Sequence, residues 1–243
     1  MGGDTFMLKE NVLNDLQSFL PKKALLVDED VSLRTAGGLH TEEPIEAKVI
    51  VRPETTQEVS KILALCNKYE QKVVVHGGLT GLVYGTRTSS DQLIISLERM
   101  NRVMDIDPIG RTITCQSGVT LQAIQEKAES ENMFFPLDLG ARGSCSIGGN
   151  ISTNAGGNRV IRYGMTRDSV LGIEAVTSDG TILSSMNKMI KNNAGYDLKQ
   201  LFIGTEGTLG IVTKCVLRLR EAPISQNTAI VGIKDFSSII KFL

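Results

Sequence analysis

The chain has 243 residues, 41% of them hydrophobic and 22% charged, with a formal net charge of -1. That length supports a sizeable core in one large domain or two modest ones. The even charge balance gives no footing for nucleic acid or an anionic membrane surface, and no apolar run approaches the ~20 residues of a membrane helix.

The N-terminus, MGGDTFMLKE, has no basic region leading into an apolar one, so it does not read as a secretory signal. Phe6 stands where a myristoylation signal needs Ser or Thr. A cytoplasmic protein is expected. Residues 8–20 have helical apolar spacing and end at Pro21. Residues 28–46 are polar and read as a surface loop. AKVIVRP (47–53) reads as a strand. TTQEVSKILALCNKYE (55–70) opens with a capping box, Thr55 to Glu58, and continues as a helix. VVV (73–75) reads as a short buried strand, a glycine-rich loop follows, and LIISL (93–97) is another strand. This alternation predicts a small α/β unit with parallel pairing.

A second unit starts near Arg111. TITCQSGV (112–119) alternates like a strand, and Thr120 caps a helix over 121–132. The stretch from Phe134 to Gly164 is rich in glycine. SVLGIEAVTSDGTILSS (169–185) carries two apolar runs around Ser-Asp-Gly, a hairpin signal. Asp197–Phe202 suggests a helical turn, and TLGIVTKCVLRLR (208–220) a strand of period two. NTAIVGIK (227–234) reads as a further strand, and Asp235 caps a helix that stops after two turns. The expected division is an N-terminal helix and loop (1–44), two subdomains (45–110 and 111–225), and the start of a truncated further domain (226–243). A short docked C-terminal helix is the alternative for the last segment. Cys66, Cys115, Cys145 and Cys215 show no CxxC spacing and read as buried, reduced residues. The only histidines are His40 and His76, so no metal site is expected.

Three glycine clusters need explaining: 76–85, 140–157 and 204–211. Bare amides in succession form anion-holding concavities, and Ser and Thr hydroxyls add donors. Neither GxxxxGK[ST] nor GxGxxG occurs, which excludes a Walker loop and the Rossmann fingerprint. Each cluster alone fits a tight turn as well as a phosphate cradle. Three together, interleaved with hydroxyl residues, favour the cradle.

The strings VVVHGGLTGL, FPLDLGARGSCSIGGNISTNAGG and GYDLKQLFIGTEGTLGIVTK resemble the FAD-binding domain of the vanillyl-alcohol oxidase / p-cresol methylhydroxylase superfamily. Within it the chain is most similar to FAD-linked D-2-hydroxyglutarate and D-lactate dehydrogenases, over residues 45–221. The resemblance implies an α+β fold: a two-subdomain FAD-binding domain, with a small α/β unit followed by a larger, mainly antiparallel sheet flanked by helices. It implies that Gly77, Gly78, Leu79, Thr80 and Gly81, with Gly85, wrap the FAD pyrophosphate. Pro136, Leu137 and Asp138 would lie beside the isoalloxazine ring. Gly143, Ser144, Gly148, Gly149, Asn150, Ser152 and Thr153 would line the ring and ribityl chain. Gly156, Glu206, Gly210 and Ile211 would complete the site toward the adenine. His76 would be occupied near the phosphates. Arg162 and Tyr163 either face the substrate or sit on the surface. Covalent members carry the linking histidine where Thr80 stands, so the FAD is expected to be non-covalent. The implied partners are a small-molecule 2-hydroxy acid in the full-length protein and an electron-accepting protein or quinone, with a homodimer as the assembly. The catalytic base is not identified in residues 1–243 and is expected in a following substrate domain. The chain alone is therefore expected to be inactive. The rival readings are a non-catalytic FAD-binding electron-transfer subunit and, more weakly, a UDP-sugar enolpyruvyl reductase.

Overall fold

In a computed structural model, which describes residues 10–36 and 43–243, the chain builds two main sheets over separate cores. His40 lies outside the described residues. The first unit opens with α1 (Glu10–Phe19), where Val12 and Leu16, continued by Leu20, recur every four residues and are buried. Between it and the first predicted strand come β1 (Leu25–Val27) and one turn, α2 (Glu29–Ser32), where the sequence suggested only a loop from residue 28. β1 pairs antiparallel with β2 (Val49–Val51). α3 (Thr56–Lys68) leads to β3 (Lys72–His76), and β4 (Gln92–Ser96) enters between β2 and β3. Both pairings of β4 are parallel, as the strand–helix alternation predicts. Because β4 takes the centre, β3 is an edge strand, and Val73–Val75 are half-buried rather than enclosed. Thr55 accepts from the Glu58 amide at 3.1 Å, while the Glu58 carboxylate accepts from the Glu54 amide at 2.6 Å, one residue outside a standard capping box.

The second unit contains β5 (Val103–Asp107), β6 (Thr112–Gln116), α4 (Leu121–Glu129), β7 (Met133–Phe134), α5 (Ile147–Ser152), α6 (Val160–Tyr163), α7 (Thr166–Ser169), β8 (Val170–Val176), β9 (Ile182–Ser185), α8 (Lys199–Phe202), β10 (Ile211–Arg218) and β11 (Arg220–Glu221). Its five-stranded sheet has the order β5-β6-β10-β8-β9 and is antiparallel throughout. The Ser-Asp-Gly turn does join a hairpin, with the Thr177 amide donating to the Thr181 carbonyl at 3.0 Å. β10 shows little period-two exposure: it is central, and only Lys214 and Arg218 are not fully buried. Leu121, Ile124 and Ala128 of α4 recur on one face and join the core beside Ile113 and Cys115. All four cysteines are free and buried, as expected, and burial pushes the Cys66 thiol up to about 12. The strand expected at 227–234 does not form. Ile230 is fully exposed, no neighbouring strand offers a ladder, and β-propensity alone does not hold a strand. Asp235 does cap α9 (Phe236–Phe242), accepting from the Ser238 amide at 2.8 Å.

The units are joined at a polar junction under α3. The Thr56 hydroxyl donates to the Glu174 carboxylate at 2.5 Å, and the Lys214 ammonium lies 2.8 Å from the same group. Burial works against the Glu174 charge, but Lys214, Thr56 and Thr213 outweigh it and hold the carboxyl below its ordinary range. Nearby, Gly118 turns against the end of β4. A Cβ there would stand 2.1 Å from the Leu97 carbonyl oxygen. At the end of β3, buried His76 donates through Nε2 to the Thr86 carbonyl at 2.9 Å, closing the first glycine loop. Burial pushes this imidazole below the ordinary histidine value, against the bond to Thr86.

Gly118→Ala forces a Cβ between closely apposed backbones and is expected to destabilise the chain by about 2 kcal/mol or more; a urea midpoint equal to the parent's would show that the junction yields freely. His76 has a folded pKa below its unfolded value. Its contribution to stability is therefore complete above pH 6.5 and is lost as the pH falls. Between pH 7.5 and 5, urea midpoints of the parent should fall more than those of His76→Gln, which keeps a donor for Thr86. Equal slopes would contradict a buried neutral imidazole.

Candidate functional site

The three glycine clusters converge on one cleft of about 740 Å³ between the two units. Its first wall is the loop after β3. Gly77, Gly78, Leu79, Thr80, Gly81 and Gly85 all line it. The amides of residues 78–81 donate to no acceptor among the described residues. Leu79 sits in the left-handed region with φ 54°, the kind of sign change that turns successive amides toward one side. The second wall is α5 and the segment after it, with Gly148, Gly149, Asn150, Ser152, Thr153 and Gly156. The third cluster supplies Glu206, and the start of β10 supplies Ile211. The Glu206 amide donates to the Ser152 carbonyl at 2.8 Å, which ties the third cluster to the second.

Fourteen of the twenty residues named from the sequence therefore share the cleft, and six stand off it. Pro136 and Leu137 are buried, the Leu137 carbonyl accepting from Gln125 at 2.7 Å. Asp138 lies 3.7 Å from the Arg159 guanidinium. Gly143 abuts the Gln122 side chain. Ser144 lines a smaller cavity of about 370 Å³. Gly210 lies beneath Phe202 and the Val176 carbonyl. His76 does not line the cleft, its Nε2 being bonded to Thr86. Arg162 is exposed, lies over the Tyr163 ring and does not line it either.

Sequence reasoning missed several lining residues. Leu82, Val83, Ala141, Ser146, Asn154 and Gly207 adjoin or lie inside the motifs, so adjacency was the available signal. Val75 and Val212 sit on strands and look like any core residue. Cys145 is another. It is buried on the cleft wall, and burial pushes its thiol up, which makes it inert as a nucleophile.

Gly77 and Gly78 are bare for a reason other than ligand access. A Cβ on Gly78 would stand 2.2 Å from the Ser144 carbonyl oxygen, and one on Gly77 would stand 2.7 Å from the Ser146 hydroxyl. The two walls touch backbone to backbone. At Gly81, by contrast, a Cβ would meet nothing within 4 Å. Among the described lining residues the only charged side chain is Glu206. Any phosphate here would be held by amides and hydroxyls rather than by lysine or arginine. The volume lies in the range of ordinary cofactor pockets. The cleft's size, free amides and small side chains fit a dinucleotide.

Comparison with known proteins identifies that dinucleotide. The family model described as an FAD binding domain matches residues 47–185, more than half of the chain. A mitochondrial D-2-hydroxyglutarate dehydrogenase of Bos taurus is 40% identical over 235 residues, spanning 97% of this chain and 43% of the relative. One from Arabidopsis thaliana is 44% identical over 197 residues, 81% of this chain and 35% of the relative. The chain thus spans less than half the length of these relatives. An alkyldihydroxyacetonephosphate synthase structure superposes with a TM-score of 0.79 at 23% identity, over 93% of this chain and 43% of that one, and so shares the fold. These names overturn the expected cytoplasmic location, since both relatives are mitochondrial proteins. Free, buried cysteines suit any reducing compartment, so composition could not separate the two. With the family model over its glycine clusters and the matching fold around them, the chain belongs to the FAD binding domain family of the vanillyl-alcohol oxidase / p-cresol methylhydroxylase superfamily, and FAD is its cofactor.

Proposed function

We propose that the chain is the FAD-holding portion of a dehydrogenase that oxidises a D-2-hydroxy acid, of the D-2-hydroxyglutarate or D-lactate type, to the 2-oxo acid. The observation that carries this reading is the run of unpartnered amides at residues 78–81 facing a cleft of dinucleotide size. The D-2-hydroxyglutarate dehydrogenases similar to this chain support the substrate class. Because the similarity to such enzymes extends over 97% of this chain in one of them, a non-catalytic electron-transfer subunit is the less favoured alternative. The two FAD-binding subdomains are assigned to residues 45–110 and 111–225, and the electron acceptor to a protein or quinone.

In this reading the amides of Leu79, Thr80 and Gly81 bind the pyrophosphate, and the Ser152 and Thr153 hydroxyls serve the ribityl side. Thr80 offers no imidazole for a flavin link, so the cofactor is non-covalent. When bound, FAD supplies the acceptor for the hydride leaving the substrate's α-carbon. The hydroxyl proton needs a base, and the substrate carboxylate needs a cation. Among the described residues lining the cleft, the only titratable groups are Glu206 and Cys145, and none is cationic. Both tasks are therefore assigned to polypeptide outside this chain, in the longer protein.

Gly81 gives a clean test of the cradle, because a Cβ there meets no described heavy atom within 4 Å. Gly81→Asp places a carboxylate beside the phosphates. It should weaken FAD binding at least tenfold, about 1.4 kcal/mol, with an unchanged urea midpoint; equal affinity would remove the pyrophosphate from this loop. Gly78→Val is a poor probe, since it strikes the Ser144 backbone first. The division of labour is tested by anaerobic bleaching. The FAD-loaded 243-residue chain should bleach with D-2-hydroxyglutarate at least about 10²-fold more slowly than the longer protein, the loss expected without general-base help. Equal rates would place the base within this chain.

A further inference from the structure

Three consecutive apolar residues lie unprotected at the cleft mouth. Leu82, Val83 and Tyr84 are 74%, 60% and 61% exposed, and Leu82 and Val83 line the cleft. Glycines bracket them on both sides. Gly81 has no heavy atom within 4 Å of where a Cβ would stand, and Gly85 has one neighbour at 3.4 Å, the Glu206 carboxylate. That neighbour is the far end of a side chain and gives way readily.

The base of the loop is anchored by contrast. His76 bonds the Thr86 carbonyl at 2.9 Å, and the Thr86 hydroxyl donates to the Ala36 carbonyl at 2.9 Å. Arg87 grips Glu43 through two hydrogen bonds and stacks its guanidinium 3.6 Å from the centre of the Tyr84 ring. The Arg87 amide also donates to the Tyr84 carbonyl at 3.1 Å, so Tyr84 belongs to the fixed base and only Leu82 and Val83 stand clear of it beside the cleft, the anatomy of a short cover. Three neighbouring apolar side chains exposed over a cleft lose water contact only if something fills the space beneath them.

We propose that Leu82 and Val83 pack down onto bound FAD as an apolar cover, the chain pivoting at Gly81 and ending at the fixed Tyr84. This inference rests on the placement of FAD in the cleft. It adds positioning residues that slow release of the cofactor rather than form its cradle. The cover acts by desolvation: the amides of residues 78–81 hold the phosphates more tightly once water is excluded from above.

Chymotrypsin reads the tip directly, because it cuts after exposed aromatic residues. Tyr84 is a target in the apo-protein, and Tyr196, 95% exposed and not lining the cleft, is an internal control. Saturating FAD should slow cleavage after Tyr84 at least tenfold and leave cleavage after Tyr196 unchanged. The double variant Leu82→Ser/Val83→Ser changes only exposed side chains. It should release FAD at least tenfold faster, by flavin fluorescence recovery, with its urea midpoint in the absence of FAD unchanged. If FAD binds with parent affinity and Tyr84 is cut at the apo rate, the cover is overturned and the cofactor placement stands. An unchanged FAD release rate in the double variant also overturns it. If FAD gives no protection because it does not bind the purified chain, the cofactor placement falls and the cover falls with it.

Discussion

At Gly78 two stretches of backbone meet with no side chain between them, and the cleft depends on that contact. Gly77–Gly78, at the end of a parallel edge strand, rests on Ser144–Ser146, which leads into a helix of the antiparallel unit. Any Cβ at Gly78 would stand 2.2 Å from a carbonyl oxygen, so a larger residue must push the walls apart. Forcing extra atoms into such a contact costs about 1–3 kcal/mol and shifts backbone. The cleft begins where the contact ends. Its first wall continues as Leu79–Gly81, whose amides are left over because they have moved beyond reach of the second wall. The same local bareness thus does two jobs in sequence. It first lets the walls touch, and then leaves donors facing open space.

A contact of that kind is only as fixed as the units that carry it, and the junction under α3 fixes them. Val176 and Ile211 of the large sheet are buried in the core of the small one, so the two cores are not independent. Beside them Glu174 takes the Thr56 hydroxyl and the Lys214 ammonium. A partly buried ion pair of this sort adds little net stability, because desolvation offsets the attraction. Removing one partner leaves the other without its counter-charge at the junction. Its effect is therefore on register. Thr56 opens α3, Glu174 lies on β8 and Lys214 on β10, so helix and sheet have one satisfied alignment. Gly118 adds a second close approach at the same seam, its amide bonding the Met100 carbonyl at 2.8 Å. Donors held in place by such a seam need no reorganisation when an anion arrives.

Most of the architecture was legible because it follows from local chemistry. The caps at Thr55, Thr120 and Asp235 each accept the amide three residues on, as their sequences announce. The Ser-Asp-Gly hairpin and the parallel β2–β4–β3 core were visible for the same reason. What was hidden is decided at long range. β10 looked like a half-exposed strand because nothing in its own residues shows that it lies between β6 and β8. Residues 227–234 have the composition of a strand and form none, since a strand needs a partner. In the site, motif residues found the cleft but not its direction. Asp138 and Ser144 belong to the same strings as Gly148 and Asn150, yet the chain turns between them and leaves the first two outside. The glycines of the first loop were seen as bare, but that Gly78 faces another backbone and Gly81 faces open space depends on the other subdomain.

Leu79 shows how the loop settles competing demands. A leucine at φ 54° holds about 1–2 kcal/mol of steric strain that glycine would not. Glycine would remove that cost but widen the unfolded ensemble, which is worth about 0.4–1 kcal/mol in the opposite sense. The second term offsets about half of the first, so stability alone favours glycine only slightly. The two residues differ in the freedom of the loop. With Gly77, Gly78 and Gly81 already around it, a fourth glycine would leave five successive residues with only Thr80 to restrict the path. The strained leucine limits that path among the residues that line the cleft. It can do so because the ends are held by bonds it does not make, His76 to Thr86 and Thr86 to Ala36. The strain is therefore borne by the anchored loop and acts to hold the first wall of the cleft in one shape.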